Sequence, residues 1–271
     1  MSIISSFYSI LHVVWNSREL LKALILRDIK SRYTGSLFGF AWLIINPIVM
    51  LAIYTFVFSV VFNARWGGGG SGSKLEFALV LFAGMMIFNL FSEVVSRAPT
   101  IILQNGNLVK KVVFPLEILV FSSFGTAFFN FISSFIVWLL LYFSVYGNIS
   151  ATLFFLPFFI LSCMFFITGI GLFISALGVY LRDLQQVINL LITVLLFMSP
   201  VFYPITALPE QYRHYLYLNP LTYIVEAFRD IVYFNSFSYY NFLLFFVVSI
   251  FIMSGGYYFF NKARRGFSDV I

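Results

Sequence analysis

Six long apolar stretches dominate the sequence, at residues 37–62, 77–96, 117–145, 151–180, 184–203 and 241–261. A helix needs about 20 apolar residues to cross roughly 30 Å of hydrocarbon. Two of the stretches exceed that need, so they tilt or begin as interfacial segments. The stretch 184–203 is short and issues directly from Arg182 and Asp183. Lipid cannot satisfy backbone polar groups, so spanning segments are helices or strands of a closed barrel. These runs are continuous rather than alternating, which favours helices. With 61% hydrophobic and 10% charged residues, a soluble globule of this size could not cover its apolar surface. The expectation is one all-α integral membrane domain over 1–271 with six transmembrane helices.

Charge placement gives an orientation. With the N-terminus inside, twelve of the sixteen basic residues fall on inner segments and four, Arg65, Lys74, Arg213 and Arg229, on outer ones. The positive-inside rule then puts both termini in the cytoplasm, and the net charge of +6 reads as topology without any need for nucleic acid. The first residues lack the basic region and small-residue cleavage site of a signal peptide. The single cysteine, Cys163, sits in an apolar run, which leaves no intramolecular disulfide.

Three polar segments stand out. Residues 16–32 read as an amphipathic interfacial helix, with Asn16 and Glu19 as a capping pair. Leu21, Leu24, Ile25 and Ile29 form its stripe, and Arg18, Lys22 and Lys30 its other face. The loop 97–112 is short and basic, with Pro99 starting a short helix and Asn105-Gly106 as a breaker. Segment 204–240 holds Pro204, Pro209 and Pro220 with many tyrosines, among them Tyr212, Tyr215 and Tyr223. Its part 221–233 is too short and too charged to span and suits an amphipathic or re-entrant helix; Glu226 and Arg229 can pair at i, i+3. The outer loop 63–76 holds a Gly/Ser run that is no phosphate loop, because Ser73 separates Gly72 from Lys74 and no strand precedes it.

No catalytic constellation is visible. His12 and His214, the two histidines, lie on opposite sides of the expected membrane. Ionisable groups deep in the spans are scarce, which counts against an ion pump. Glu93 and Glu117 fall near span ends, where water or Arg97 is the expected partner. A chain without chemistry of its own suits transport driven by another subunit.

Four blocks carry a resemblance. They are Arg27-Asp28-Ile29-Lys30-Ser31-Arg32-Tyr33 followed by Ser36, Gly39, Trp42, Asn46 and Pro47; Lys110-Lys111-Val112-Val113-Phe114-Pro115; Tyr180-Leu181-Arg182-Asp183-Leu184; and Ser199-Pro200-Val201-Phe202-Tyr203 with Leu208-Pro209 and Leu218-Asn219-Pro220-Leu221. In this order, over about 18–265, the sequence resembles the transmembrane subunit of ABC-2-type polysaccharide exporters, the O-antigen, capsule and teichoic-acid permeases. The resemblance implies a pair of chains in the inner membrane and two cytoplasmic ATPase subunits beneath, which would carry ATP and magnesium. No cofactor is implied in this chain. The cargo implied is a lipid-linked polysaccharide, most often O-antigen; a smaller lipid or drug on the same scaffold is the alternative, and a glycan-handling membrane enzyme is less favoured because no carboxylate pair or metal cluster shares a membrane face. It implies that Arg97, Pro99, Asn105, Lys110 and Lys111 couple to the ATPase, with Arg27, Arg182 and Asp183 beside them. It also implies short re-entrant helices over 204–233. The aromatic excess, 21%, joins this reading, since aromatic faces pack on sugar C–H faces. Trp42, Asn46 and Tyr54 in the first span, Phe197, Phe202 and Tyr203 in the fifth, and Tyr212, Tyr215 and Tyr223 outside are the expected glycan contacts.

Overall fold

The computed structural model describes residues 3–57, 74–109, 114–148 and 150–271. Lys110, Lys111 and the Gly/Ser run 67–73 lie outside these residues. The described residues form helices joined by short turns, with no strand among them, and five helices are long and apolar enough to cross a membrane. They are α3 (Trp42–Tyr54, within the apolar helical stretch Gly39–Val57), α4 (Lys74–Gln104), α6 (Ile118–Tyr146), α7 (Leu156–Tyr180) and α11 (Tyr239–Ala263). Shorter helices are α1 (Ile3–Asn16), α2 (Arg18–Tyr33), α5 (Gly106–Val109), α8 (Leu184–Phe197), α9 (Glu210–Tyr217), α10 (Pro220–Arg229) and α12 (Phe267–Val270).

Helix α4 is the axis. It is buried along most of its length and touches α3, α6, α7, α8 and α10. Helix α7 packs along it, and α11 packs in turn on α7 as a tightly apposed partner. Their contact depends on two glycines: a Cβ on Gly169 would lie 2.7 Å from the backbone of Ile252 and Met253, and one on Gly256 would overlap the Gly169 carbonyl. Small residues let membrane helices approach to backbone contact, which supplies the packing that apolar matching to lipid cannot. We therefore expect Gly256→Leu to separate α7 from α11 and to cost about 1–3 kcal/mol. A lower thermal midpoint of the detergent-solubilised protein checks this; an unchanged midpoint contradicts it.

The aromatic excess has a structural destination. On α6, Phe124, Phe128, Phe131, Phe135, Trp138, Tyr142 and Tyr146 form an unbroken ladder with successive ring centroids 4.8–6.0 Å apart. Spacing at i, i+3 and i, i+4 puts all seven on one helix face. That face turns toward α4 and α10, where Trp138 donates its Nε1–H to the Leu79 carbonyl at 2.9 Å and Phe131 and Phe135 meet Phe228 edge-on.

Both termini lie at one end of the bundle, the base. Ile10 of α1, the start of α6, the end of α11 and Phe267 share one buried cluster there. At the opposite end, the apex, the Tyr146 and Tyr233 hydroxyls are 2.7 Å apart and Ser150 bonds Asn235.

Several expectations are corrected. The first residues form a full helix, α1, which lies on α11. Asn16 therefore ends a helix instead of starting one; Ser17 occupies the cap of α2 without a side-chain bond, and Glu19 pairs with Lys22 and Arg18. The α2 stripe is as expected: Leu24 and Ile29 are buried, Leu21 and Ile25 half-buried, and Arg18, Lys22 and Lys30 exposed. Pro99 starts no helix, because α4 runs unbroken through it to Gln104. Near the end of a long helix, proline is tolerated where tertiary packing offsets the lost hydrogen bond. Asn105 does break the chain, its side chain bonding the Ile101 carbonyl at 2.8 Å. The stretch 184–203 gives only 14 helical residues, α8, about 21 Å at 1.5 Å per residue.

Candidate functional site: a polar cavity between helices

Beside α4, near its middle, a cavity of about 390 Å³ opens between the end of α2, the start of α3, α4 and α6. Its walls carry Trp42 and Asn46 from α3, Asn89 and Glu93 from α4, Asn130 and Ser134 from α6, and Arg32 and Tyr33 from α2. On α3, α4 and α6 these residues stand four apart, one turn along the helix, so local helix geometry sets them side by side. Arg32 forms an ion pair with Glu93. Asn130 donates its amide to both Glu93 oxygens, at 3.2 and 3.0 Å, and the Tyr33 hydroxyl donates to Asn130 Oδ1 at 3.2 Å. The Glu93 partner among the basic side chains is thus Arg32 of α2, where Arg97 was expected. Glu117 likewise pairs with Arg264, at 3.1 Å.

A second cavity, about 230 Å³, lies at the apex between α10, α7 and α11, with Tyr223, Glu226 and Asp230 in its wall. Behind it Arg229 is fully buried. Its guanidinium donates to the carbonyls of Val80 (2.9 Å) and Val201 (2.7 Å), to Pro200 (2.5 Å), and to Glu226 Oε1 (3.2 Å). The expected Glu226–Arg229 pairing is present, but Arg229 presents no charge to solvent.

Of the residues expected to contact glycan, Trp42 and Asn46 share the first cavity and Tyr223 lines the second. Phe197, Phe202 and Tyr203 cluster where α8 ends: the two phenyl centroids are 6.0 Å apart and the Tyr203 hydroxyl bonds the Phe197 carbonyl. Tyr212 and Tyr215 stand exposed on α9, and Tyr54 packs against the main core. They do not converge in one space within a single chain. Of the residues expected at the ATPase, Arg27, Arg182 and Asp183 are exposed at the base, Arg27 bonding Asp28 at 2.9 Å. Arg97 sits half-buried on the last turns of α4. Sequence reasoning missed Asn89, Glu93, Asn130 and Arg229 as site groups. Asn89 and Asn130 had a signal, an amide inside an apolar run, which is costly unless it lines a path or meets a partner. Among the described residues no group of three His, Cys, Asp or Glu side chains converges as a metal site.

Residues 19–233 match the ABC-2 type transporter family. The chain is 27% identical over 224 residues to the O-antigen export system permease protein RfbA of Myxococcus xanthus, covering 81% of this chain and 82% of that one. It is 25% identical over 256 residues to the RfbA permease of Klebsiella pneumoniae, covering 93% and 95%. It is 27% identical over 218 residues to the polysialic acid transport protein KpsM of Escherichia coli, covering 78% and 80%. A family match over most of the chain, joined to five apolar helices long enough to span, identifies a multi-pass inner-membrane transport subunit that belongs to the ABC-2 type transporter family.

Proposed function

We propose that this chain is the permease half of an ATP-driven exporter of lipid-linked polysaccharide, with O-antigen as the cargo. The observation that carries the reading is the family match over 19–233, and the kinship to permeases named for O-antigen export supports it. The base is the cytoplasmic face. Both termini lie there, so the number of crossings is even, and α8 together with the segment up to residue 236 supplies the sixth. Since α8 is too short to span alone, residues 204–233 act as the re-entrant element that completes the crossing. A second copy closes the channel. Helix α3 is almost wholly exposed and α8 buries only Ile188, faces that suit a pair of chains around a common path. Two cytoplasmic ATPase subunits bind at the base, holding ATP and magnesium. Arg97, Asn105, Lys110, Lys111, Arg27, Arg182 and Asp183 form the seat for them, with Pro99 in the helix above. Phe197, Phe202, Tyr203, Tyr212 and Tyr215 edge the outer end of the path, where several weak ring contacts let a sugar chain slide. The test is isolation of the tagged chain from its native membrane. An ATPase subunit should co-purify, and lipid-linked glycan should raise its turnover several-fold. Isolation without any nucleotide-binding partner contradicts the reading.

A further inference from the structure

We propose that the cavity between α2, α3, α4 and α6 recognises an uncharged sugar unit, so that the exporter favours neutral over acidic glycans. This rests on the export reading and adds a selection rule to it.

Two amides point to a ligand. From 77 to 91 on α4 every residue is buried except Asn89, which opens into the cavity, and Asn46 faces it from α3. Among the described residues neither side chain makes a hydrogen bond. Both amides are exposed in the cavity wall, so their donors and acceptors are available to a polar ligand that enters it. Its volume, about 390 Å³, suits a small ligand, for which pockets run about 300–1,000 Å³.

The chemistry on offer is that of a sugar site. Each amide presents donors and an acceptor in one plane, and ring hydroxyls both give and take hydrogen bonds. Trp42 adds an apolar ring for the C–H face of a pyranose. Charge decides between glycan classes. Arg32 and Glu93 are the cavity's Arg/Lys and Asp/Glu side chains, and they are paired with one another. The Glu93 carboxylate is held further by Asn130. A carboxylate-bearing sugar must therefore either meet a guanidinium already occupied or displace Glu93 from it, leaving that carboxylate with Asn130 and no neutralising charge. Removing one partner of a half-buried pair is unfavourable. A neutral hydroxyl-rich unit meets neither obstacle. This is selection by a built-in penalty against the wrong ligand. It separates this chain's cargo from a polymer such as polysialic acid, whose units each carry a carboxylate.

The test uses the full chain in lipid nanodiscs and saturation-transfer NMR. The probes are neutral trimers of glucose, galactose and mannose, and the matching trimers of glucuronic, galacturonic and mannuronic acid. At least one neutral trimer should bind, about tenfold more tightly than its acidic counterpart. Asn89→Leu, at an exposed position that keeps the fold, should weaken that trimer about tenfold. Glu93→Gln, which frees Arg32, should raise acidic binding and narrow the preference. The proposal is overturned if the acidic trimers bind the unaltered chain as well as the neutral ones, if no neutral trimer binds, or if Asn89→Leu changes nothing. It also falls if chains carrying Asn89→Cys cross-link to each other, because the amides then face a second copy. None of these results bears on whether an ATPase co-purifies, so failure here and failure of the export reading are separable.

Discussion

Arg229→Ala leaves little or no monodisperse protein after detergent extraction. The side chain is fully buried and makes four hydrogen bonds, to Val80, Pro200, Val201 and Glu226. Three of its acceptors are backbone carbonyls. One of them, on Pro200, has no helical alternative, because the residue four positions on is Pro204 and proline has no N–H. The guanidinium therefore serves as the hydrogen-bond donor for the break after α8 and ties that break to α4 and α10. A hydrogen bond to a charged group contributes about 1.5–3 kcal/mol. Losing four at once is comparable with a whole domain stability of about 5–15 kcal/mol. Arg229→Lys keeps the charge but loses the planar fork, so it should give a folded protein with a lower melting temperature and an apex more open to protease over 198–236. Gly84→Leu tests the same feature from the other side. The guanidinium lies against the Gly84 α-carbon, so any side chain there displaces it, and the variant should resemble Arg229→Ala with the arginine intact. Glu226→Gln keeps a hydrogen-bond acceptor at a half-buried position and should cost only about 1 kcal/mol. Equal yield and melting temperature for Arg229→Ala and the unaltered chain would refute the assignment.

Much of the helix layout was legible because a run of apolar residues reports on its own that a segment leaves water. The helices observed near 117–145 and 241–261 begin and end within two residues of the runs. What the run does not report is whether its side chains end against lipid or against protein, since lipid tails are as apolar as leucine. That is why the aromatic excess reads equally as a sugar path and as a core. The α6 ladder shows that a large share of it is core. Polar partnerships divide by sequence distance. Glu226–Arg229 and the Asn105 breaker are local and were readable from spacing. Arg32–Glu93 joins α2 to α4 and exists only once the bundle has formed. The same holds for Arg229: on paper it is one more outer cation, and only the fold reveals that three carbonyls surround it. Residues 3–16 were missed for a different reason. Ser5, Ser6 and His12 interrupt the apolar pattern, yet this helix is placed by packing on α11, and its Phe7 meets Phe165 of α7 edge-on at 5.4 Å.

Glu117→Leu separates nucleotide hydrolysis from export. Glu117 follows the segment that includes Lys110 and Lys111 and stands at the position just before α6, with no side-chain bond to the helix end and its carboxylate almost wholly buried. Arg264 reaches it from the end of α11, donating to Glu117 Oε2 at 3.1 Å and to the Phe114 carbonyl at 2.8 Å. Around this pair the last residues of the chain are anchored. Phe267 is fully buried, Tyr180 bonds the Ala263 carbonyl at 2.7 Å, and Ile271 touches Gly106 of α5. The C-terminal residues therefore brace both sides of the loop proposed as the ATPase seat. On that proposal a push on the loop would reach α6 through Glu117 and α11 through Arg264. Arg264 is partly exposed, so the pair contributes about 1–3 kcal/mol, less than a fully buried one. The variant should fold and still bind the ATPase, while the ordered contact that transmits the stroke is lost. The expected outcome is ATP turnover near the unaltered level with export of glycan to the cell surface down about tenfold, since a lost coupling of about 1.4 kcal/mol is a factor of ten. Arg264→Leu should reproduce it, and the exchanged pair Glu117→Arg with Arg264→Glu should restore part of the export. Export unchanged in both single variants would show that the brace carries none of the stroke. A parallel loss of ATP turnover and export would mean that Glu117 seats the ATPase itself, and the mechanical role would pass from the C-terminal brace to the loop alone.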